Sequence, residues 1–168
     1  MFLDRDENHD KDLGRAARRP MLAFVLVTLV VGAAASAFTQ PQIATWYLHL
    51  IHPSYAPPDW VFAPVWTTLY VVMAVAAWRV WRHTGLNSTE IIFYAGQLIL
   101  NFAWSGIFFA LHRMDLALAE ILALDLAILA TMILFFRRDR LAGLLFLPYL
   151  AWNMFATFLT YDFWQLNG

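Results

Sequence analysis

Apolar positions along the chain fall into five long runs, and polar positions fall mostly between them. The runs are 21–38, 61–81, 91–111, 116–136 and 141–163. Each is long enough to cross ~30 Å of hydrocarbon at ~1.5 Å per residue of helix. The connections 82–90, 112–115 and 137–140 are short, so successive helices should pack antiparallel. One connection, 39–60, is long. The pattern predicts an all-α fold: an integral membrane bundle of five transmembrane helices over 21–168.

Residues 1–20 are of another kind. They hold five basic and five acidic side chains and show no apolar period. They read as a polar, disordered or frayed tail whose last part, Arg15, Arg18 and Arg19, is expected at the membrane surface. The stretch that follows them has a rival reading as a secretory signal. It has a basic start, an apolar core and the small residues Ala35-Ser36-Ala37. Its apolar core is long for a signal, and the reading adopted is a first membrane span.

Composition strengthens the membrane reading. The chain is 61% hydrophobic and only 14% charged, against roughly 25% charged in soluble domains. The net charge of -1 gives no reason to expect a nucleic-acid partner. Cysteine is absent, which excludes disulfides, thiolate metal sites and cysteine nucleophiles. Lys and Arg concentrate in the tail and around the second and fourth connections, at Arg79, Arg82, Arg137, Arg138 and Arg140. By the positive-inside rule the N-terminus is expected in the cytoplasm and the C-terminus on the opposite side.

In lipid an apolar face carries little information, so polar and aromatic stripes carry the signal. Gln97, Asn101, Trp104, Ser105 and Phe108 share one face of the third helix. Tyr149, Trp152, Asn153, Ala156, Thr157 and Thr160 share one face of the fifth. Phe62, Trp66, Tyr70 and Met73 do so on the second, and Thr28, Gly32 and Ser36 form a weaker stripe on the first. Amides and hydroxyls at membrane depth need partners, so these faces should point into the bundle. Plain interhelical bonding is one reading. A pocket for a flat, mostly apolar ligand is the other. The entry to the second helix, "PPDWVFAPVWTTLY", is built for rigidity. Pro57 and Pro58 suit a helix start, Asp59 suits its positive end, and the segment delivers Trp66 and Tyr70 into the membrane.

These stripes lie in segments that resemble a known family. "WYLHLIHPSYAPPDWVFAPVWTTLYVVMAVAAW", "FYAGQLILNFAWSGIFF" and "AGLLFLPYLAWNMFATFLTYDFWQLN" are similar, in order and spacing, to the translocator protein or tryptophan-rich sensory protein family. The resemblance covers about residues 24–167. It implies five membrane helices, commonly a homodimer, and a pocket within each protomer covered by the loop 39–60. It implies porphyrin or another tetrapyrrole, haem included, as ligand, with no further cofactor required. Carried over by motif, the ligand-binding positions are Trp66, Asn101, Trp104, Tyr149, Trp152 and Ala156, with Tyr70 added from its stripe. Trp66 and Trp152 match the tryptophans tied to porphyrin breakdown in bacterial members. Two alternatives to a tetrapyrrole receptor or carrier stay open: an enzyme of light- and oxygen-dependent porphyrin degradation, with Trp66 and Trp152 catalytic, and a regulatory scaffold acting through a protein partner. Animal members carry a basic residue in a cholesterol motif near the end of the last helix. Here Leu159 and Tyr161 are followed by "DFWQLNG", which speaks against cholesterol binding.

Other constellations are weaker. His49 and His52 lie three apart in the long loop and read as interfacial residues, and no metal site is expected. Asp125 falls near the middle of the fourth run, where an acid costs about 2.5–3.5 kcal/mol on insertion scales. It is either functional or a buried, hydrogen-bonded structural acid. Ala119, Ala123 and Ala127 form a small-residue ridge beside it, and Gly96 lies on the third run. Both are candidate dimer faces.

Overall fold

The computed structural model describes the backbone of residues 3–168 and the side chains of residues 19–168. Every regular element among them is helical: α1 (Leu3–Ile43), α2 (Phe62–Thr84), α3 (Thr89–Ser105), α4 (Met114–Arg138), α5 (Arg140–Leu145) and α6 (Leu147–Asn167). Five stretches are long and apolar enough to cross a membrane: Arg19–Ile43, Asp59–Thr84, Thr89–Ala110, Met114–Arg138 and Arg140–Asn167. The chain is a multi-pass all-α membrane protein, as its apolar runs predict.

Three boundaries differ from the sequence reading. Helix α1 starts at Leu3, inside the stretch read as a disordered tail. Once the apolar span is helical, extension outward adds hydrogen bonds without a new nucleation cost, except at the carbonyl four residues before Pro20, which has no N–H to give. It also runs on to Ile43 past Pro41, which shortens the long loop. The last span is two helices, because the chain turns at Phe146, two residues before Pro148. Proline has no N–H to continue α5 but suits the first turn of α6. Asp139 starts α5 by accepting from the N–H groups of Leu141 and Ala142.

Helix α1 packs on α2 and α3, and α4 packs on α3, α5 and α6. At one end of the bundle Arg79 pairs with Asp139 at 2.7 Å and Arg138 with Glu90 at 2.6 Å. The Arg82 guanidinium lies 4.3 Å from the Trp78 ring centre. The middle is filled by Tyr70, Met73, Ala77, Tyr94, Leu124, Ile128, Phe135 and Phe146, all buried. At the other end the loop after α1 folds over a separate aromatic cluster of Tyr47, Phe108, Phe109 and Phe163. A cavity lies between that cluster and the core.

Candidate functional site

The helix stripes converge on one cavity of about 560 Å³. Trp66 and Tyr70 reach it from α2, Asn101 and Trp104 from α3, and Trp152 and Ala156 from α6. Gly32 and Ser36 line it from α1, and Ile121 and Leu124 from α4. Six of the seven ligand positions drawn from the sequence therefore share one wall system. Tyr149 does not. It is fully buried behind Asn101 and is absent from the lining. The reason is register. One turn before Trp152 and Asn153, its ring points past the cavity floor into the core against Phe146.

A polar relay forms that floor. The Tyr70 hydroxyl donates to Asn101 Oδ1 at 2.5 Å, Asn101 Nδ2 donates to the Tyr149 hydroxyl at 3.2 Å, and Tyr149 donates to Gln97 Oε1 at 2.8 Å. These bonds tie α2, α3 and α6 together where no water is available to satisfy them. They also hold the Tyr70 and Asn101 side chains against the cavity. The indole N–H groups of Trp104 and Trp152 are buried without an acceptor among the described residues. The Trp66 ring packs against Tyr70 (5.6 Å between centres) and Tyr149 (6.1 Å), and Trp152 packs against Phe62 at 5.9 Å. The two indoles sit in aromatic sockets that restrict their rotation.

Several lining residues have no local sequence signal. Phe109 joins Phe108 inside because α3 ends in a π-helical turn, Gly106–Ala110, closed by Leu111 N–H to Gly106 O at 3.0 Å. The wider turn shifts the register at the helix end, and both rings face inward. His112 then takes a positive φ of 53° to reverse the chain. Tyr47 arrives from the loop and Phe163 packs 5.3 Å from it. Burial, then the negative charge of Asp59, pushes the Tyr47 hydroxyl up to about 12, so it stays a neutral donor at the cavity end.

The loop is fastened to α6. Ile51 N–H donates to Asn167 Oδ1 at 2.7 Å, Asn167 Nδ2 returns a bond to Ile51 O at 3.0 Å, and the Tyr55 hydroxyl donates to Asp162 Oδ2 at 2.7 Å. His52 bonds to the Tyr47 carbonyl at 3.0 Å and His49 to that of Thr45 at 2.5 Å. Both imidazoles therefore hold loop backbone. Asp125 lies outside the lining. It accepts from Asn153 Nδ2 and the Thr157 hydroxyl, each at 2.8 Å. The structural reading of this acid fits that pairing, which joins α4 to α6 and orients Asn153, a lining residue.

A family model described as "TspO/MBR family" matches residues 24–165. The chain is 36% identical over 149 residues to "Tryptophan-rich protein TspO" of Archaeoglobus fulgidus, covering 88% of this chain and 97% of that one. It is 37% identical over 152 residues to "Translocator protein" of Homo sapiens, covering 88% and 90%. It is 40% identical over 144 residues to "Tryptophan-rich sensory protein" of Cereibacter sphaeroides, covering 86% and 90%.

Proposed function

This chain belongs to the TspO/MBR family, and from that membership and the cavity we propose that it is a membrane receptor or carrier for porphyrins and other tetrapyrroles. One observation carries the reading. A single chamber of about 560 Å³ is walled by Trp66, Trp104, Trp152 and Phe108, with the hydrogen-bonded Tyr70–Asn101 pair at its floor. Flat rings offer stacking faces to a flat π-system, and the few polar groups orient it.

Porphyrin titrated into purified protein in neutral detergent, in darkness, should bind saturably. Removing one ring, by Trp66→Ala or Trp152→Ala, should weaken binding from several-fold to about tenfold, since an aromatic pair contributes about 0.5–1.5 kcal/mol beyond area burial. Unchanged affinity in the double Ala variant would remove the cavity as the binding site. A partner protein recovered with the chain regardless of porphyrin would favour the scaffold reading.

The enzyme reading has its own support. Both indoles border the cavity, where an electron passing between indole and an excited porphyrin has a short path. Illumination in the presence of oxygen should then yield porphyrin breakdown products. Trp66→Phe and Trp152→Phe should keep most binding and lose product. Equal product from both variants and the parent protein leaves a receptor or carrier only.

A further inference from the structure

His112 is the one non-glycine residue with a positive φ among the described residues, at 53°. Histidine is one of the side chains that take this conformation most readily. The turn it closes, from α3 into α4, is held by Leu111 N–H to Gly106 O at 3.0 Å and Arg113 N–H to Ile107 O at 3.2 Å. From there the imidazole reaches the end of α1. It lies flat on the Trp46 indole, with 4.1 Å between ring centres and 13° between planes. Its Nε2 bonds to Gln42 Oε1 at 3.1 Å. Trp46 N–H donates to Gln42 O at 3.0 Å, so one imidazole grips both ends of a single turn. Trp46 also meets Phe108 at 5.6 Å and Phe109 at 6.4 Å, both edge-on. Phe108, Phe109 and Tyr47, the residue after Trp46, line the chamber. The stack therefore ties the start of the loop to the α3–α4 turn, directly beside the cavity wall.

Imidazole is the side chain whose charge ordinarily changes between about pH 5 and 8. His112 is exposed, so taking up a proton there costs little desolvation. The protonated ring keeps an N–H for Gln42 Oε1 and adds the attraction of a cation for the indole face. The neutral ring lacks that attraction. We propose that His112 and Trp46 form a pH-sensitive latch on the loop after α1: protonation tightens the cover and slows exchange of the bound ligand, and deprotonation loosens it. Slower ligand exchange rests on the tetrapyrrole reading, whereas the hold on the loop does not. Few other charges face the pair. Residues 39–46 and the π-helical turn carry none. From α4, Arg113 is paired with Asp115 at 2.7 Å. From α6, Asp162 accepts from Tyr55. The loop brings Asp59 and two more imidazoles, His49 and His52, bonded to the carbonyls of Thr45 and Tyr47. These two change charge over the same ordinary range and must be separated from His112.

The chain has no cysteine, so Leu48→Cys, at an exposed position on the loop, takes a nitroxide label at one site. Label mobility in the full chain in neutral detergent is read at about pH 5.5 and about pH 8, on either side of an ordinary imidazole. Mobility should rise with pH. His112→Asn, which puts a residue tolerant of positive φ in the turn, and Trp46→Leu should each give the mobile signal at both values. His49→Gln and His52→Gln should keep the step. Release of bound porphyrin dimethyl ester from the parent protein, divided by release from His112→Asn at the same pH, should rise about two- to fivefold between the two values, the size of an exposed cation–π contact. That ratio cancels any titration of the ligand itself. The latch is overturned if the parent protein shows no step, if the step survives His112→Asn or Trp46→Leu, or if it disappears with His49→Gln or His52→Gln. A label step that depends on His112, with a release ratio that ignores pH, overturns the control of ligand exchange. If the label step depends on His112 and no porphyrin binds, the tetrapyrrole reading falls and the hold on the loop stands.

Discussion

Gly32 shows how one atom sets the site. A Cβ at this position would collide with the Tyr70 ring, and moving that ring away would strain or break its hydrogen bond to Asn101. Gly32→Ala should therefore lower thermal stability in detergent by about 1–3 kcal/mol, the usual cost of overpacking. It should also weaken porphyrin binding by displacing Tyr70 from the cavity floor. Unfolding and titration of the same sample check both effects. Asp125 makes a complementary case. Asp125→Asn keeps a hydrogen-bonding group facing Asn153 and Thr157. Asp125→Leu leaves Asn153 Nδ2 buried without an acceptor, at about 1–3 kcal/mol. The leucine variant should be the less stable of the two, and equal midpoints would mean that the α4–α6 pairing contributes nothing. Asp139 supplies a pH dependence. Burial alone raises its carboxyl, but the Ala142 and Leu141 N–H groups and the Arg79 guanidinium outweigh it and hold it below the ordinary 3.8. A depressed acid stabilises the fold fully above its unfolded value, and that contribution disappears as pH falls through the lower folded value. Unfolding midpoints of Asp139→Asn and the parent protein should therefore differ at neutral pH and converge below about pH 3.8.

At the scale of elements, irregularities build the site. The π-helical turn at Gly106–Ala110 places Phe108 and Phe109 side by side, and the break at Phe146 lets α5 serve as a short foot while α6 crosses the membrane. Gly143 belongs to that foot, since a Cβ there would press on the backbone and Cβ of Phe136. The loop is the element most open to a functional test. Its reciprocal Ile51–Asn167 pair and its Tyr55–Asp162 bond are exposed hydrogen bonds, each with a net contribution of about 0.5–1.5 kcal/mol. Asn167→Ala with Tyr55→Phe should loosen the cover and speed porphyrin dissociation up to about tenfold, with little change in association. Stopped-flow release separates the two rates, and an unchanged release rate would show that the loop does not limit exit. The outer faces bear on assembly. Gly96 on α3 and Ala119 and Ala123 on α4 are exposed, and nothing lies within 4 Å of a Cβ built at Gly96. Small residues on an outer face permit close helix contact. If the family's homodimer forms here, Gly96→Leu or Ala123→Leu should weaken it in cross-linking, and no change in either would exclude both faces.

For the whole molecule the decisive feature is that its two ends differ. Arg79, Arg82, Arg137, Arg138 and Arg140 gather where α2 ends and α4 meets α5, while the cavity and its loop occupy the other end. The positive-inside rule then predicts a cavity opening away from the cytoplasm. Reporters fused after Gly168 should be active only on the non-cytoplasmic side, and a fusion active in the cytoplasm would invert the assignment. Much of this was legible without coordinates, because the five spans follow from run length against membrane thickness, a property each segment carries by itself. That Trp66, Tyr70, Asn101, Trp104, Trp152 and Ala156 face the bundle interior was legible for a similar reason: helical spacing fixes which residues share a face, and polar atoms in lipid must turn inward; their choice as ligand positions, Tyr70 apart, came from the family resemblance. What spacing cannot supply is the height at which one helix meets another. That register put Tyr149 behind the cavity rather than in its wall, joined Asp125 to Asn153 and Thr157, brought Gly32 against Tyr70, and set Tyr47 and Asp59 at the loop end. These are contacts between residues far apart in sequence, decided by packing, so only the tertiary structure could choose them.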